Sequence, residues 1–317
     1  MTVAVLLPVY NGAGTLPAAI ESTLAQTHSD LELIVIDDAS TDDSAAVIRA
    51  YARDDGRIRP VYHEQNEGLA ATLNQGLELT TAEFVARLDQ DDESLPERLA
   101  TQLEFMADHP NVAAAGSFVY HMGRKPKWDR LVEFPTDPLG IRTTLRRENC
   151  LYHPSVMLRR EHIVALGGYR AEFKNAEDYD LWLRTSRRYD LGNVPVPLIR
   201  YRFSVDGMTL GRKWEQLYYV YLAQASDARG DDDLVGAAAA VDVRLLATDR
   251  RAFFIAVSKG TLYELLLLRR FAEAVTVGRR LSSEVGRRTT AKILLRGFGS
   301  VLAKKYSRRG RRLKPGP

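Results

Sequence analysis

A single cysteine, Cys150, in 317 residues excludes an internal disulfide framework and favours a reducing compartment. No stretch approaches the roughly 18 uncharged apolar residues that span a bilayer. The opening "MTVAVLLPVYNG" has no basic start, and its apolar run stops at a turn. It reads as a first buried strand rather than an export signal, so the expected location is cytoplasmic. Also missing are G-x-x-x-x-G-K-[ST] and G-x-G-x-x-G, which removes the P-loop and the dinucleotide fingerprint. No Cys/His cluster has zinc-like spacing, and no G-x-S-x-G elbow occurs. A net charge of +3 is too small to imply a nucleic-acid partner. Chemistry in this chain must be built from carboxylates.

What is present is a soluble globular composition, 45% hydrophobic and 27% charged, on a chain long enough for a large domain with appendages. Residues 3–9, 31–37, 58–63, 83–89 and 111–120 read as strands, alternating with amphipathic helices near 15–27, 42–53, 68–79 and 96–108. Such alternation predicts βαβ units and an α/β fold with a doubly wound, mostly parallel sheet. "HPSVMLRR" (153–160) reads as a strand, 175–189 as a helix, and the proline-limited 193–204 as an edge strand. "RKPKWDR" and "EFPTDPLG" read as loops. From about 211 to 306 the pattern is helical, interrupted at Gly230-Asp231-Asp232-Asp233. The expected division is therefore a catalytic domain over 1–205 and a helical region with a basic tail over 206–317.

Ligands of doubly wound sheets bind at the carboxyl ends of the strands. Four such ends carry polar groups here: Pro8-Val9-Tyr10-Asn11-Gly12, Asp37 to Asp42, Asn66-Glu67-Gly68, and Asp89-Gln90-Asp91-Asp92. Ser40 or Thr41 is a candidate cap for the helix that follows. Oxygen-only ligands such as Asp89 and Asp91 suit Mg²⁺ or Mn²⁺, held by one or two carboxylates plus substrate phosphates. A second acidic group, Glu177-Asp178 with Asp180, supplies candidate proton acceptors. Each motif taken alone also fits a helix cap or a solvated turn.

"LLPVYNG", "IVIDDASTDDS", "NEGLAATLNQGL", "ARLDQDDE", "HPSVMLRR", "GGYR" and "AEDYDLWLR" together resemble the family 2 inverting glycosyltransferases, in order and spacing, over roughly residues 2–205. The resemblance implies a GT-A-type nucleotide-sugar-binding domain. It implies Pro8, Tyr10 and Asp38 around the nucleobase, and Asn66 and Gly68 lining the nucleotide pocket. Asp89-Gln90-Asp91 matches the family's D-x-D element, with Asp91 as metal ligand and Asp89 near ribose, sugar or metal. Asp92 would orient the sugar, and His153 would lie near the donor. Asp178, beside Glu177, matches the catalytic base, with Trp182 near the acceptor. The implied cofactor is Mn²⁺ or Mg²⁺. The implied partners are a UDP- or dTDP-linked sugar and a glycan or lipid-linked acceptor. Family members often carry a histidine soon after the "YR" ending this domain, where this sequence has Ser204. Arg200 or Arg202 is the candidate replacement charge.

Sugar nucleotidylyltransferases share the α/β sheet, but the basic residue expected after Gly14-Thr15 is absent from "LPAAI". Phosphatases with an aspartyl nucleophile place their D-x-D after the first strand, not the fourth. A non-catalytic nucleotide-sugar-binding protein is disfavoured because both carboxylate groups are intact. Finally, 279–314 holds thirteen Lys and Arg against Glu284 alone, interleaved with Ile293, Leu294, Phe298 and Leu302. A basic amphipathic helix reads as a peripheral membrane contact, the alternative being a helix packed on the catalytic domain with a basic end.

Overall fold

The computed structural model describes residues 1–203, 210–230, 234–246 and 248–285. The chain opens with β1 (Val3–Val9), α1 (Leu16–Leu24), β2 (Leu31–Asp37), α2 (Ser44–Asp54), β3 (Ile58–Tyr62), α3 (Leu69–Leu79) and β4 (Phe84–Arg87). Short β5 (Glu93–Ser94), α4 (Arg98–Asp108), β6 (Val112–His121) and β7 (Arg130–Val132) follow. Then come α5 (Pro138–Leu145), β8 (Met157–Arg159), α6 (Arg160–Ala165), α7 (Glu177–Ser186) and β9 (Asp190–Tyr201). Helices α8 (Leu210–Arg229), α9 (Leu234–Leu246), α10 (Arg250–Leu267) and α11 (Phe271–Val285) complete the described chain.

Nine strands among the described residues form one sheet in the order β3-β2-β1-β4-β8-β6-β9-β5, with β7 beside β6 off this path. The β3-β2-β1-β4 half is parallel, as helical crossovers require. The other half is mixed rather than mostly parallel: β8 lies antiparallel to both β4 and β6, while β9 runs parallel to β6. Three-residue β8 is entered from a one-turn helix at 153–155, not by a crossover, so the parallel-pair geometry does not bind it. Pro197 of β9 pairs with Phe118 where the register shifts, which accommodates a residue without an N–H. The strand is longer than expected, and its outer side carries only two-residue β5.

Val3, Val5, Leu7, Leu33, Val35, Phe84 and Ala86 share one buried core with Leu16 and Ile20 of α1, Ile48 of α2 and Leu99 of α4. Apolar runs on β1 and β2 are thus buried along their whole length, as helix-covered strands demand. One expected loop is a helix instead. "TDPLG" opens α5, with Asp137 accepting from the Gly140 N–H at 2.7 Å and Pro138 at the first helical position.

Two compact units divide the described residues. The first draws on 1–121, 131–202 and 219–239, the second on 122–130, 203–218 and positions from 240 onward. In the second unit, α10 and α11 pack around Phe254, Leu262, Leu265, Leu266, Val277 and Leu281. The "RKPKWDR" segment belongs with them: Arg124 N–H donates to Leu268 O at 3.0 Å, and Arg130 pairs with Glu264 at 2.6 Å. No helix among the described residues is long and apolar enough to cross a membrane. Ser204 and the basic stretch beyond Val285 lie outside the described residues.

Candidate active site

Loops after β1 and β2 are laced together. The Asn11 N–H donates to Ser40 Oγ at 2.9 Å, Gly12 N–H to Ser44 Oγ at 2.9 Å, and Ala13 N–H to Asp42 at 3.0 Å. Thr41 N–H returns to Asn11 Oδ1 at 2.8 Å. Ser40 and Thr41 are therefore spent on the neighbouring loop, and α2 starts later, at Ser44, with no side-chain cap. Asp38, 5% exposed, accepts from Glu67 N–H at 2.8 Å and Gly68 N–H at 2.9 Å. Gly68 has φ of +87°, a conformation that lets its N–H turn toward that carboxylate. Asn66 fixes the same turn through Asp38 O at 3.1 Å. His63 bonds Asp38 Oδ1 through Nδ1 at 2.8 Å and Gln75 through Nε2 at 2.8 Å. Burial opposes its protonation, but the Gln75 and Asp38 acceptors outweigh that and raise its pKa. With so many partners, Asp38 is first a scaffold for the 66–68 turn, and any contact to a base must use its remaining lone pair. Tyr10 is 48% exposed and free to pack on a flat ligand.

Gln90, the middle residue of D-x-D, holds Tyr10. It accepts from the Tyr10 N–H at 2.8 Å and donates to Tyr10 O at 3.0 Å, tying the β1 turn to the β4 turn. A Cβ on Gly12 would collide with this Gln90 amide. We expect Gly12→Ala to displace Gln90 and cost about 1–3 kcal/mol, two hydrogen bonds at ~0.5–1.5 kcal/mol each. Urea unfolding of Gly12→Ala, Gln90→Ala and the double variant checks this. Non-additive losses, with the double no worse than the worse single, are expected.

The acidic turn answers the repulsion that its sequence raises. Asp89 pairs with Arg87, and Arg202 donates from Nε to Asp91 O at 3.0 Å. Asp92, 1% exposed, accepts from the Arg202 N–H at 2.6 Å, and its Oδ2 is buried without a partner. Ligand oxygens of Asp89, Asp91 and Asp92 lie within 4.8 Å of one another. That spacing, the oxygen-only donor set and the unpartnered Oδ2 all fit a hard divalent cation. Burial, then the Asp89 charge, pushes Asp91 up to about 6. Asp92 is too buried to orient a sugar, as expected of it; it anchors the turn to the end of β9. Arg200 is paired with Glu93, so of the two candidate replacement charges Arg202 is the one that contacts the acidic turn.

Arg98, absent from the expected site, lies beneath. Fully buried, it donates to Gln102, Ser94 Oγ, Arg87 O and Val156 O. Burial and the nearby Arg87 charge lower it to about 9.

The second acidic group opens α7. Half-buried Asp178 accepts from Tyr179 N–H at 2.7 Å and from Asn149 Nδ2 at 2.7 Å. Burial raises its pKa. Glu177 is 8% exposed, and burial plus the Asp178 charge pushes it up to about 7. Asp180 is spent on Arg170 and Arg184. His153 bonds the Tyr169 hydroxyl at 3.0 Å, and burial holds it neutral, its pKa well below the ordinary value. Tyr169 is itself fixed by Asn74, which contacts its N–H and its carbonyl at 2.8 Å each. Trp182 is fully buried, edge-on to His153 at 6.0 Å, so its ring offers no exposed face to an acceptor. Cys150, 3% exposed, has its thiol pushed up to about 12 by burial and is chemically inert. Charge links the two acidic groups, because Arg87 and Asp89 both act on Glu177, and Arg87 also acts on Asp178.

Residues 4–167 match the family model for glycosyl transferase family 2. The chain belongs to glycosyltransferase family 2. It is 32% identical over 231 residues to the amylovoran biosynthesis glycosyltransferase AmsE of Erwinia amylovora, covering 69% of this chain and 85% of AmsE. Three Rickettsia glycosyltransferases among the relatives are longer, and the matched segment spans 33%, 29% and 33% of them. Among solved structures, S. aureus TarS in complex with UDP matches at TM-score 0.57 and 17% identity, over 99% of this chain and 93% of TarS. The mannosyltransferase PcManGT of Pyrobaculum calidifontis, with GDP-Man and Mn²⁺, matches at TM-score 0.57 and 18% identity, over 96% and 81%. At these identities the two structures speak for the fold, that of GT-A glycosyltransferases. The family-level expectations are thereby met: this is a glycosyltransferase with a GT-A-type α/β fold and C-terminal helices.

Proposed function

We propose that the protein is an inverting, metal-dependent glycosyltransferase that moves a sugar from a nucleoside-diphosphate sugar to a hydroxyl of a glycan or lipid-linked acceptor. The observation that carries this reading is that two carboxylate groups, Asp89/Asp91 and Glu177/Asp178, both lie within range of the charge of one buried arginine, Arg87. Inversion by single displacement needs a proton acceptor beside the incoming hydroxyl and charge compensation for the departing diphosphate. Asp178 would take the hydroxyl proton on a carboxylate oxygen as the acceptor oxygen bonds to the anomeric carbon. The bond from that carbon to the diphosphate oxygen breaks, and the diphosphate leaves with the electron pair. Bound Mn²⁺ or Mg²⁺ offsets the charge that develops there. Asp89 and Asp91 would hold it.

Tyr10, Pro8 and the Asp38-braced turn at Asn66 and Gly68 would receive the nucleotide. Support comes from relatives: PcManGT is solved with GDP-Man and Mn²⁺, TarS with UDP and with UDP-GlcNAc. AmsE is named for amylovoran biosynthesis, which favours a glycan product. Residues 1–205 would form the catalytic domain and 206–317 its helical extension. The basic stretch 279–314 would bring the enzyme to an anionic membrane face on the cytoplasmic side.

The test is release of nucleoside diphosphate from UDP-, dTDP- and GDP-sugars, with Mn²⁺ and with chelator. Metal-dependent release from one donor, with inverted anomeric configuration in the product by NMR, is expected. No release from any donor sinks the reading. A pH profile adds a second check. A general base acts only when ionised, and both Glu177 and Asp178 are raised by burial, Glu177 to about 7. Activity should therefore fall on acidification at a pH above the usual carboxylate range, where an ordinary carboxylate would still hold its rate. An acidic limb near the ordinary glutamate value of 4.5 contradicts this.

A further inference from the structure

We propose that Arg87 is a positioning residue that acts as the internal counter-ion of the metal site, holding Asp89 and competing for it with the divalent cation. On this view the cation binds well only together with a nucleoside diphosphate. The inference rests on the reading of Asp89 and Asp91 as metal ligands.

Arg87 ends β4 and is 2% exposed. Its main chain is fixed on both sides, the N–H donating to Val156 O at 3.0 Å and the carbonyl accepting from Arg98 at 2.6 Å. Nη2 pairs with the Asp89 carboxylate, while Nε and Nη1 are buried with no hydrogen-bond partner. Unpaired buried donors weaken a fold, so hydrogen bonding does not account for an arginine here. The surrounding charge does.

Asp89, Asp91 and Asp92 face three guanidinium groups: Arg87 on Asp89, Arg202 against Asp91, and Arg98 below, on the Arg87 carbonyl. A turn that is strongly anionic as sequence is close to neutral as folded. A bare divalent cation entering it gains little net attraction and meets the Arg87 charge at close range. A cation arriving with a diphosphate brings compensating negative charge. Metal and nucleotide must then tighten each other by the same factor, since coupling between two ligands is reciprocal.

The experiment is calorimetric titration of Mn²⁺ alone, without nucleotide, into the wild-type chain, Arg87→Met and Arg87→Gln. Removing a unit charge several ångströms from the ion should tighten Mn²⁺ by at least about tenfold in both variants. Damage to a site loosens it, so a gain of affinity separates this role from a purely structural one. Unchanged or weaker Mn²⁺ binding in folded variants overturns the proposal. Loss of folding in both variants by circular dichroism overturns it too, because a counter-ion to Asp89, whose side chain is 32% exposed, is not required by the fold. A parallel titration of the wild type with UDP, dTDP and GDP in saturating Mn²⁺ keeps the two readings apart. If none binds, the glycosyltransferase reading fails. If one binds but neither variant gains Mn²⁺ affinity, only the role of Arg87 fails.

Discussion

Asp178→Asn should lower turnover by ~10²–10⁴-fold, the usual contribution of a general base, and leave donor affinity nearly unchanged. Asparagine keeps the shape and can still accept from the Tyr179 N–H that now bonds Oδ1, losing only the bond that Oδ2 accepts from Asn149 Nδ2. The fold should not suffer. Burial raises the Asp178 pKa, so its charge weakens the folded state, and removing it should leave the melting temperature unchanged or raised. Steady-state kinetics with a donor titration checks the first claim and thermal unfolding the second. A variant that keeps more than half of wild-type turnover moves the base to Glu177. Asp180 is no longer an alternative, since it is 2% exposed and held by two arginines.

The second large effect belongs to Asp91. Replacing it by alanine should weaken Mn²⁺-dependent binding of a nucleoside diphosphate by about 100-fold or more, because metal compensation of phosphate charge is worth several kcal/mol. The chain should remain folded. Asp91 is pushed up to about 6, first by burial and then by Asp89, so its charge is a cost to the folded state and alanine relieves it. Calorimetry with UDP or GDP, with and without Mn²⁺, reads the effect. Equal metal-dependent affinity in the variant would return the acidic turn to a structural role, its charges compensated by Arg87, Arg98 and Arg202 alone.

Strand ends were legible because their residue types are costly anywhere else. A run such as Asp89-Gln90-Asp91-Asp92 after a buried strand needs compensating charge, and a turn such as Asn66-Glu67-Gly68 before a helix needs a special backbone. The parallel half of the sheet followed from the alternation of periods. What sequence could not show is which polar groups spend their capacity on one another. Asp38 looked like a free acceptor and is mostly taken by the 66–68 turn and His63. Trp182 and Asp92 looked available to sugar and are buried, Trp182 on the inner face of α7 and Asp92 against the Arg202 N–H just past β9. Gln90 sat in the open position of D-x-D, yet its amide bridges two strand ends eighty residues apart in sequence. Long-range pairings of this kind leave no local pattern. Arg87 left one that went unread, a lone charge at the end of an otherwise apolar strand that the sheet was bound to bury. Helix α5, which leads to Asn149 on Asp178, was likewise announced by an aspartate-proline start.

The most direct measurement is anomalous scattering from a crystal grown with Mn²⁺ and the nucleoside diphosphate that binds most tightly. The account predicts one manganese peak within coordination distance of the Asp91 carboxylate and next to Asp89, with the diphosphate completing its ligands and Asp178 facing the empty side of the nucleotide. A nucleotide bound without manganese at Asp89 and Asp91, or a peak elsewhere, would contradict it.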